Sequence, residues 1–369
     1  MKVLFIANIP SPYRVHFFDE LSKYCELTVI YELKRSTERS ASWQKESENG
    51  YTIIHLDAKH VSTDTSFTTK ILKYLDASYD IIVITMFGSP TQMLAIEYLR
   101  LKGIPYFINI DGGFIFDKEN KIKYWLKRHF ISSASGYLST SDKTTEYLIH
   151  YGAEKDNIYK YPFSSVAEKD ILDGGVLDKN SLKEELCVSC SKIVVSVGQF
   201  IYRKGYDVLL HAARHFDKNV AVIIIGGTET DEYKRIVDEY ALTNVTFVDF
   251  IGPEKLNKYY AIADCFVLPT RLDVWGLVIN EAMAQGLPIV TTDMCLAGCE
   301  MIIDEENGYI VPIDNPSLLA EKINIILNDD NLRMKMCVNN LEKAREYTIE
   351  KMVVQHIDIF EKYHQREKQ

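Results

Sequence analysis

Short apolar runs alternate with amphipathic stretches from the first residues onward. In the first half the apolar runs are Val3–Asn8, Leu27–Tyr31, Thr52–Leu56, Asp80–Thr85, Pro105–Ile110, Gly136–Ser139 and Asn157–Tyr161. They are rich in β-branched and aromatic residues and predict strands. Between them, Tyr13–Tyr24, Phe67–Ala77, Thr91–Lys102, Lys121–Ser132 and Thr144–Tyr151 repeat apolar residues at helical spacing. Strands that are apolar on both faces, each followed by a helix, predict a parallel sheet covered on both sides.

The alternation stalls over residues 164–190, which are polar, carry Gly174–Gly175 and hold no strand signal. Such a shift predicts an interdomain linker. A second series then starts at Lys192–Val197 and continues with strands at Val220–Ile225, Asn244–Val248, Asp264–Leu268, Pro288–Thr292 and Tyr309–Val311. Helical patterns at Tyr206–His215, Asp231–Ala241, Lys255–Ile262, Val278–Gln285 and Ser317–Leu327 separate them, and one long helix, Ile349–His364, closes the chain. The pattern predicts an α/β protein of two doubly wound, Rossmann-like parallel-sheet domains. These are 1–165 and 166–348, with a C-terminal helix over about 349–369 packing back on the first. Ligands of open α/β sheets bind beyond the carboxyl ends of the strands. Two such domains with those ends facing each other would enclose a cleft, so the loops after the strands are where chemistry is expected.

Composition narrows the function. A net charge of −10 over 369 residues argues against nucleic acid as the main partner. The acidity is uneven: residues 1–165 hold 20 Lys and Arg against 19 Asp and Glu, and the remainder holds 22 against 33. The first half is therefore the one suited to an acidic partner or membrane. Seven Cys, an odd number, read as reduced thiols of a cytosolic protein. Cys187 and Cys190 form a lone C-x-x-C before a strand, without the second pair or His cluster that a zinc site needs. The N-terminal MKVLFIANIP reads as a buried first strand rather than a signal peptide, and no window is apolar enough to span a bilayer. A cytoplasmic protein, with any membrane contact peripheral, is expected.

The loop after the first strand, Ile9–Arg14, is not G-x-G-x-x-G. Glu32 ends the second strand, where a nicotinamide-binding domain keeps its ribose-binding acid. Without the glycines a dehydrogenase is disfavoured. The corresponding loop of the second domain, Gly198–Gly205, puts Arg203 and Lys204 just before a helix start, where a diphosphate could be clamped. The other reading of these cations is an ordinary solvated helix start. The most informative stretch runs from Leu268 through Arg271, Asp273, Gly276, Leu277, Val278 and Glu281 to Gly286-Leu-Pro288. It follows a strand, turns at a glycine and enters a helix. Amides at Gly276–Val278 suit a phosphate, and two carboxylates, Asp273 and Glu281, suit a hydroxyl-rich ligand. Either acid alone reads better as a helix cap or dipole partner, and it is the pair with Gly-Leu-Val between that points to a ligand.

VGQFIYRKGYDVLLHA and LPTRLDVWGLVINEAMAQGLPIV, with IIDEENGYIVP and IPSPYRVHFFDELSK, resemble the retaining GT-B glycosyltransferases of the GT4 family. The variants that build bacterial surface polysaccharides look most similar. The resemblance covers nearly the whole chain in element order, and its specific motifs lie mainly in the second half. It implies hexose transfer from a UDP-, GDP- or dTDP-sugar to a glycan or polyprenyl-diphosphate-linked acceptor, with no metal or other cofactor. Glu281 would hold the donor ribose, and Asp273, where relatives carry Glu, the transferred hexose. Arg203 and Lys204 would neutralise the leaving diphosphate, although Gln199 stands where many relatives have Arg. Base contacts would come from around Phe250-Ile251-Gly252. On the acceptor side the resemblance points to Asp111 and Gly112, where relatives carry a His nearby, with Arg14 and His16 in the first loop and helix. The lack of any Asp-x-Asp, the metal-holding motif of GT-A enzymes, fits the same family. For the mechanism, two nearby carboxylates would permit double displacement, whereas the resemblance implies a front-face reaction in which the leaving phosphate helps deprotonate the acceptor. A GT-B nucleotide-sugar epimerase and a catalytically silent partner subunit are the alternatives.

Lys118–Phe130 is basic with aromatic residues at helical spacing. It reads either as a helix resting on anionic lipid or as a solvated face over a packed aromatic side.

Overall fold

The computed structural model describes residues 1–35, 50–62, 65–173 and 178–367. Gly174–Gly175 of the expected linker lie outside the described residues. The chain divides into two compact units, Met1–Ser165 with Thr348–Gln369, and Val166–Tyr347.

The first unit opens with β1 (Lys2–Ala7), α1 (Pro12–Leu21), β2 (Glu26–Tyr31) and β3 (Thr52–His55). A hairpin of β4 (Lys59–Ser62) and β5 (Thr65–Phe67) follows, then β6 (Ile81–Ile84), α2 (Pro90–Lys102), β7 (Phe107–Ile110) and α3 (Lys121–Ile131). β8 (Gly136–Ser139), α4 (Asp142–His150) and β9 (Ile158–Lys160) complete it. Seven strands form one parallel sheet in the order β3-β2-β1-β6-β7-β8-β9. The inner strands are apolar on both faces because helices cover both; β6, Ile-Ile-Val-Ile, is buried throughout. Local signals set the helix ends. Pro12 and Pro90 stand in the first turns of α1 and α2, and α2 stops at Gly103 with φ +63°.

The second unit begins with α5 (Lys179–Glu185), β10 (Lys192–Val197), α6 (Tyr206–Ala213), β11 (Val220–Ile225), α7 (Asp231–Glu239) and β12 (Val245–Val248). It continues with α8 (Pro253–Ile262), β13 (Cys265–Leu268), α9 (Leu277–Ala284), β14 (Ile289–Thr292) and α10 (Leu296–Met301). β15 (Gly308–Val311), α11 (Pro316–Asn328) and α12 (Asp330–Glu346) end it. Its six strands run parallel in the order β12-β11-β10-β13-β14-β15. Successive strands step outward from β10 on one side and from β13 on the other. The loops after these two neighbours therefore diverge, the arrangement that opens a crevice at the carboxyl ends.

Five features differ from the sequence expectation, one of them the short helix α10 between β14 and β15. Phe67–Ala77 holds only a short 3₁₀ turn, Thr69–Tyr74, because apolar spacing there serves a tight connection. The β4–β5 hairpin, α5 and α12 were not anticipated. α5 has no buried residue and α12 only Met336, Asn340 and Ala344, so neither shows a wide apolar stripe.

The last helix, α13 (Ile349–Glu367), returns to the first unit and packs on α1. Phe360 is fully buried beside Phe5 and Phe107, with ring centroids 6.3 and 5.8 Å away. One turn earlier, His356 lies buried between Phe17 (4.8 Å) and Tyr161 (4.5 Å). Its Nδ1 lies 2.7 Å from the Met352 carbonyl, to which it donates as the neutral ring. Burial, with the nearby Arg14 charge adding a little, lowers its pKa from 6.5 to about 4.

The unfolded chain protonates this ring below about pH 6.5, whereas the folded unit resists until about 4. Stability present above pH 6.5 is thus lost as pH falls through that window, by about 3 kcal/mol. Denaturant unfolding at several pH values should show His356→Gln losing correspondingly less stability than the parent between neutral and acid pH.

Candidate active site

The loops that diverge at the β10–β13 boundary are bound to each other. The backbone N–H of Arg271 donates to the Arg203 carbonyl at 2.7 Å, and Thr270 Oγ1 donates to the same carbonyl at 2.8 Å. Arg271 is committed to holding this arrangement. Its guanidinium grips both oxygens of Asp207 (2.9 and 2.5 Å), donates to the Tyr202 carbonyl and to Asp314, and lies 4.2 Å over the Tyr202 ring.

Lys204 and Asp273 form the centre of the site. Lys204 Nζ lies 2.5 Å from Asp273 Oδ2, and each side chain is only 10% exposed. Gly198 makes room for the ammonium: a Cβ there would lie 3.3 Å from Lys204 Cε. Asp273 is fixed through its backbone, which pairs with Cys295 in an isolated bridge and donates to the Met294 carbonyl at 2.8 Å. With its backbone pinned, the short carboxylate is spent on Lys204, rather than standing open to sugar hydroxyls as the spacing suggested. Arg203 is the more exposed cation, bonded to the Leu272 carbonyl at 3.2 Å and 3.8 Å from Asp273.

Next to this pair begins α9. Gly276 precedes it with φ +103° and no side chain caps it. A Cβ at Gly276 would also lie 2.8 Å from Cys295 Sγ. Among the described residues, the amides of Gly276, Leu277 and Val278 have no protein acceptor. Three open N–H groups at a helix start, beside two cations, offer the chemistry that suits an anion. Burial pushes the Cys295 thiol up to about 12, so it stays protonated and donates to the Trp275 carbonyl. That rules out a thiolate nucleophile at this position.

Glu281 lies one turn into α9, half-buried, and accepts a hydrogen bond from Tyr260 of α8 at 3.2 Å. Tyr260 went unmarked in the sequence, 21 residues from its partner. Phe250 and Ile251 follow the edge strand β12, two strands from β10, in the loop that leads into α8. The structure therefore gathers Arg203, Lys204, Asp273 and Gly276–Val278 in one place. Glu281 is attached through α9, and Phe250 and Ile251 lie further out.

In the first unit Asp111 follows β7 and is heavily bonded. Its Oδ2 accepts from Arg14 (2.7 Å) and Tyr13 (3.0 Å), and its Oδ1 from Asn109 (2.8 Å). Tyr13 and Asn109 were not singled out in the sequence. Asn109 lies near Asp111, in β7 itself, whereas only the strand order β1-β6-β7 brings Tyr13 close. Gly112 follows in the same loop, and His16 lies half-buried on α1. Glu32 is wholly buried and accepts from Ser66, Ser89 and Gln92, tying β2 to β5 and the start of α2. Burial outweighs these donors and raises its pKa. It is a scaffold residue, which removes the last trace of a dinucleotide site. Among the described residues no cluster of three or more His, Cys, Asp or Glu could hold a metal ion, and no helix is long and apolar enough to cross a membrane.

The fold is that of a two-domain α/β protein whose second unit sets open amides beside two cations at its sheet reversal. Residues 179–343, wholly within that unit, match the family model for glycosyl transferases group 1. D-inositol 3-phosphate glycosyltransferase of Corynebacterium diphtheriae is 27% identical over 57% of this chain and 52% of its own length. An uncharacterized glycosyltransferase of Methanocaldococcus jannaschii is 30% identical over 47% of this chain and 41% of its own. The chain thus spans about half the length of the curated relatives it matches, and these are named glycosyltransferases rather than epimerases. Among solved structures, Anabaena HepE in complex with UDP superposes with a TM-score of 0.80 at 15% identity, covering 98% of this chain and 100% of its own. Sucrose-phosphate synthase of Thermosynechococcus elongatus gives 0.75 at 19% identity, covering 98% and 99%. The structural neighbours give the chain the GT-B fold, and the likeness to group 1 glycosyl transferases lies in its second unit.

The buried pair has a stability consequence. Asp273→Ala leaves the Lys204 ammonium without a counter-charge and should destabilise the second unit by about 3–5 kcal/mol. Asp273→Ala with Lys204→Met should recover most of that loss, which a double-mutant cycle by denaturant unfolding measures.

Proposed function

We propose that this chain is a retaining glycosyltransferase of cell-surface polysaccharide synthesis. It moves a hexose from a UDP-, GDP- or dTDP-sugar to a glycan or polyprenyl-diphosphate-linked acceptor. On this reading it works in the cytoplasm at the inner face of the plasma membrane, and the chain's own cations take the place of a metal. The observation that carries the reading is the Lys204–Asp273 pair beside the open amides of Gly276–Val278. UDP-sugars are the first donors to test, because HepE, which shares the fold, was solved with UDP and with UDP-glucose.

The diphosphate lies on the α9 amides with Lys204 and Arg203 at its side. Glu281, oriented by Tyr260, accepts from the ribose hydroxyls, and Phe250 and Ile251 meet the base. Asp273 acts through Lys204, holding the ammonium where the leaving oxygen gains charge. The acceptor is met by the Arg14–Asp111 cluster, with Gly112 and His16 nearby. As the bond between the anomeric carbon and the diphosphate oxygen breaks, the acceptor oxygen attacks from the same face. The acceptor's proton passes to the leaving phosphate. Double displacement would need a carboxylate with an open path to the anomeric carbon. Asp273 is covered and paired, which favours the same-face route.

Nucleoside diphosphate release from a panel of sugar donors, with the product anomer assigned by NMR, tests the activity and its stereochemistry. Lys204→Ala should lower kcat by about 10²–10³-fold while donor KM changes far less, because its charge acts where charge develops. Glu281→Gln should instead raise donor KM. Unchanged kcat in the Lys204 variant would remove that residue from the chemistry, and an inverted product would end the retaining mechanism. Silence across the whole panel would leave a nucleotide-binding partner subunit.

A further inference from the structure

Helix α3 presents a face that its own unit leaves uncovered. Ile122, Trp125 and Leu126 are 79%, 67% and 48% exposed, and their i, i+3, i+4 spacing sets them in one stripe. Ile115 and Phe116, exposed in the preceding loop, extend it towards Asp111 along the chain. Lys121 and Lys123 are exposed one residue to either side of Ile122, so they flank the stripe on both edges, and exposed Lys118 precedes them.

The helix is held firmly from behind. Asn120 caps it through the amides of Ile122 and Lys123, Phe130 and Ile131 are buried, and Tyr124 packs 5.6 Å from Tyr151. The one acid in 118–131, Glu119, is turned inward to Lys127, Tyr151 and His150. Along α3 the stripe and its lysines are therefore a fixed surface with no acid, while exposed Asp117 lies in the preceding loop between Phe116 and Lys118.

We infer that this face docks on an anionic lipid bilayer. Hydrocarbon accommodates the Ile, Trp and Leu side chains, the lysines reach lipid phosphates, and an indole is well placed at the boundary. Charge singles out this occupant. A second copy seated on the same face would oppose lysine to lysine across a two-fold axis. The rest of the chain carries an excess of acid that an anionic surface repels, so a local basic face also sets the orientation. The inference deepens the inner-face location proposed above, and it holds whether or not a donor is turned over.

The full chain should co-sediment with vesicles of phosphatidylcholine and phosphatidylglycerol but not of phosphatidylcholine alone, and added salt should release it. Ile122→Glu with Trp125→Glu, and separately Lys121→Glu with Lys123→Glu, should each lower the partition coefficient at least about tenfold. These positions are exposed, so thermal unfolding and the thermal shift given by UDP should match the parent, separating this surface from the donor site. Equal retention on neutral and anionic vesicles, or unchanged partition in the variants, would overturn the inference. So would a concentration-dependent dimer that the same substitutions abolish.

Discussion

The second unit is organised around one buried ion pair at the place where its sheet reverses. Lys204 comes from the loop after β10 and Asp273 from the loop after β13, 69 residues later. Withdrawing two opposite charges from water is costly, and such a pair persists only where its surroundings fix it well. Here Arg203's carbonyl receives two bonds from the β13 loop, and Arg271 braces that loop with a bidentate grip on Asp207. On the function proposed above, the pair also alters what an incoming diphosphate meets. Lys204 is already compensated, so the ligand's negative charge competes with Asp273 rather than filling an unmet need. That favours discrimination between states of different charge over tight holding of any anion, as a site for a leaving group requires.

The first unit uses a similar device. Arg14, near the start of α1, reaches across to Asp111 after β7, 97 residues away, and Tyr13 and Asn109 fill the carboxylate's other sites. Both units therefore link loops of distant sequence by a cation–carboxylate contact at the carboxyl ends of a parallel sheet. They differ in what is left over. In the second unit the open amides of α9 and the half-buried Arg203 are left over, whereas Asp111 has three of its acceptor positions taken. A carboxylate so occupied fixes the shape of its loop.

The sheets were legible because their strands are buried on both faces. Runs such as IIVI at β6 and VAVIII at β11 cannot face water on either side, and only a parallel sheet under helices accommodates them. Two of the helices that escaped notice, α5 and α12, bury little, whereas α10 is well buried but only six residues long. α5 buries nothing, and the composition that suggested a linker around it is that of a solvated helix. In the site, residue types and their place after strands could be read, and the helix start at Gly276 with them. Pairing could not. That Lys204 would consume Asp273, or that Tyr260 would reach Glu281, depends on strand order and on backbone positions that no local pattern encodes.

What permits the close contact at the reversal is the absence of side chains at specific points. Gly205 sits at φ +69°, and a Cβ there would come within 2.1 Å of the Pro269 carbonyl oxygen. Any other residue would drive the two loops apart, and with them Lys204, the next residue back, from Asp273. A methyl group at Gly205 would therefore disturb the ion pair without touching either of its charges. The glycine beside the two cations, which in the sequence looked only like a helix start, is thus the steric condition for the electrostatic one. Backbone closeness comes first, the pair forms across it, and the amides of α9 are left facing the same point.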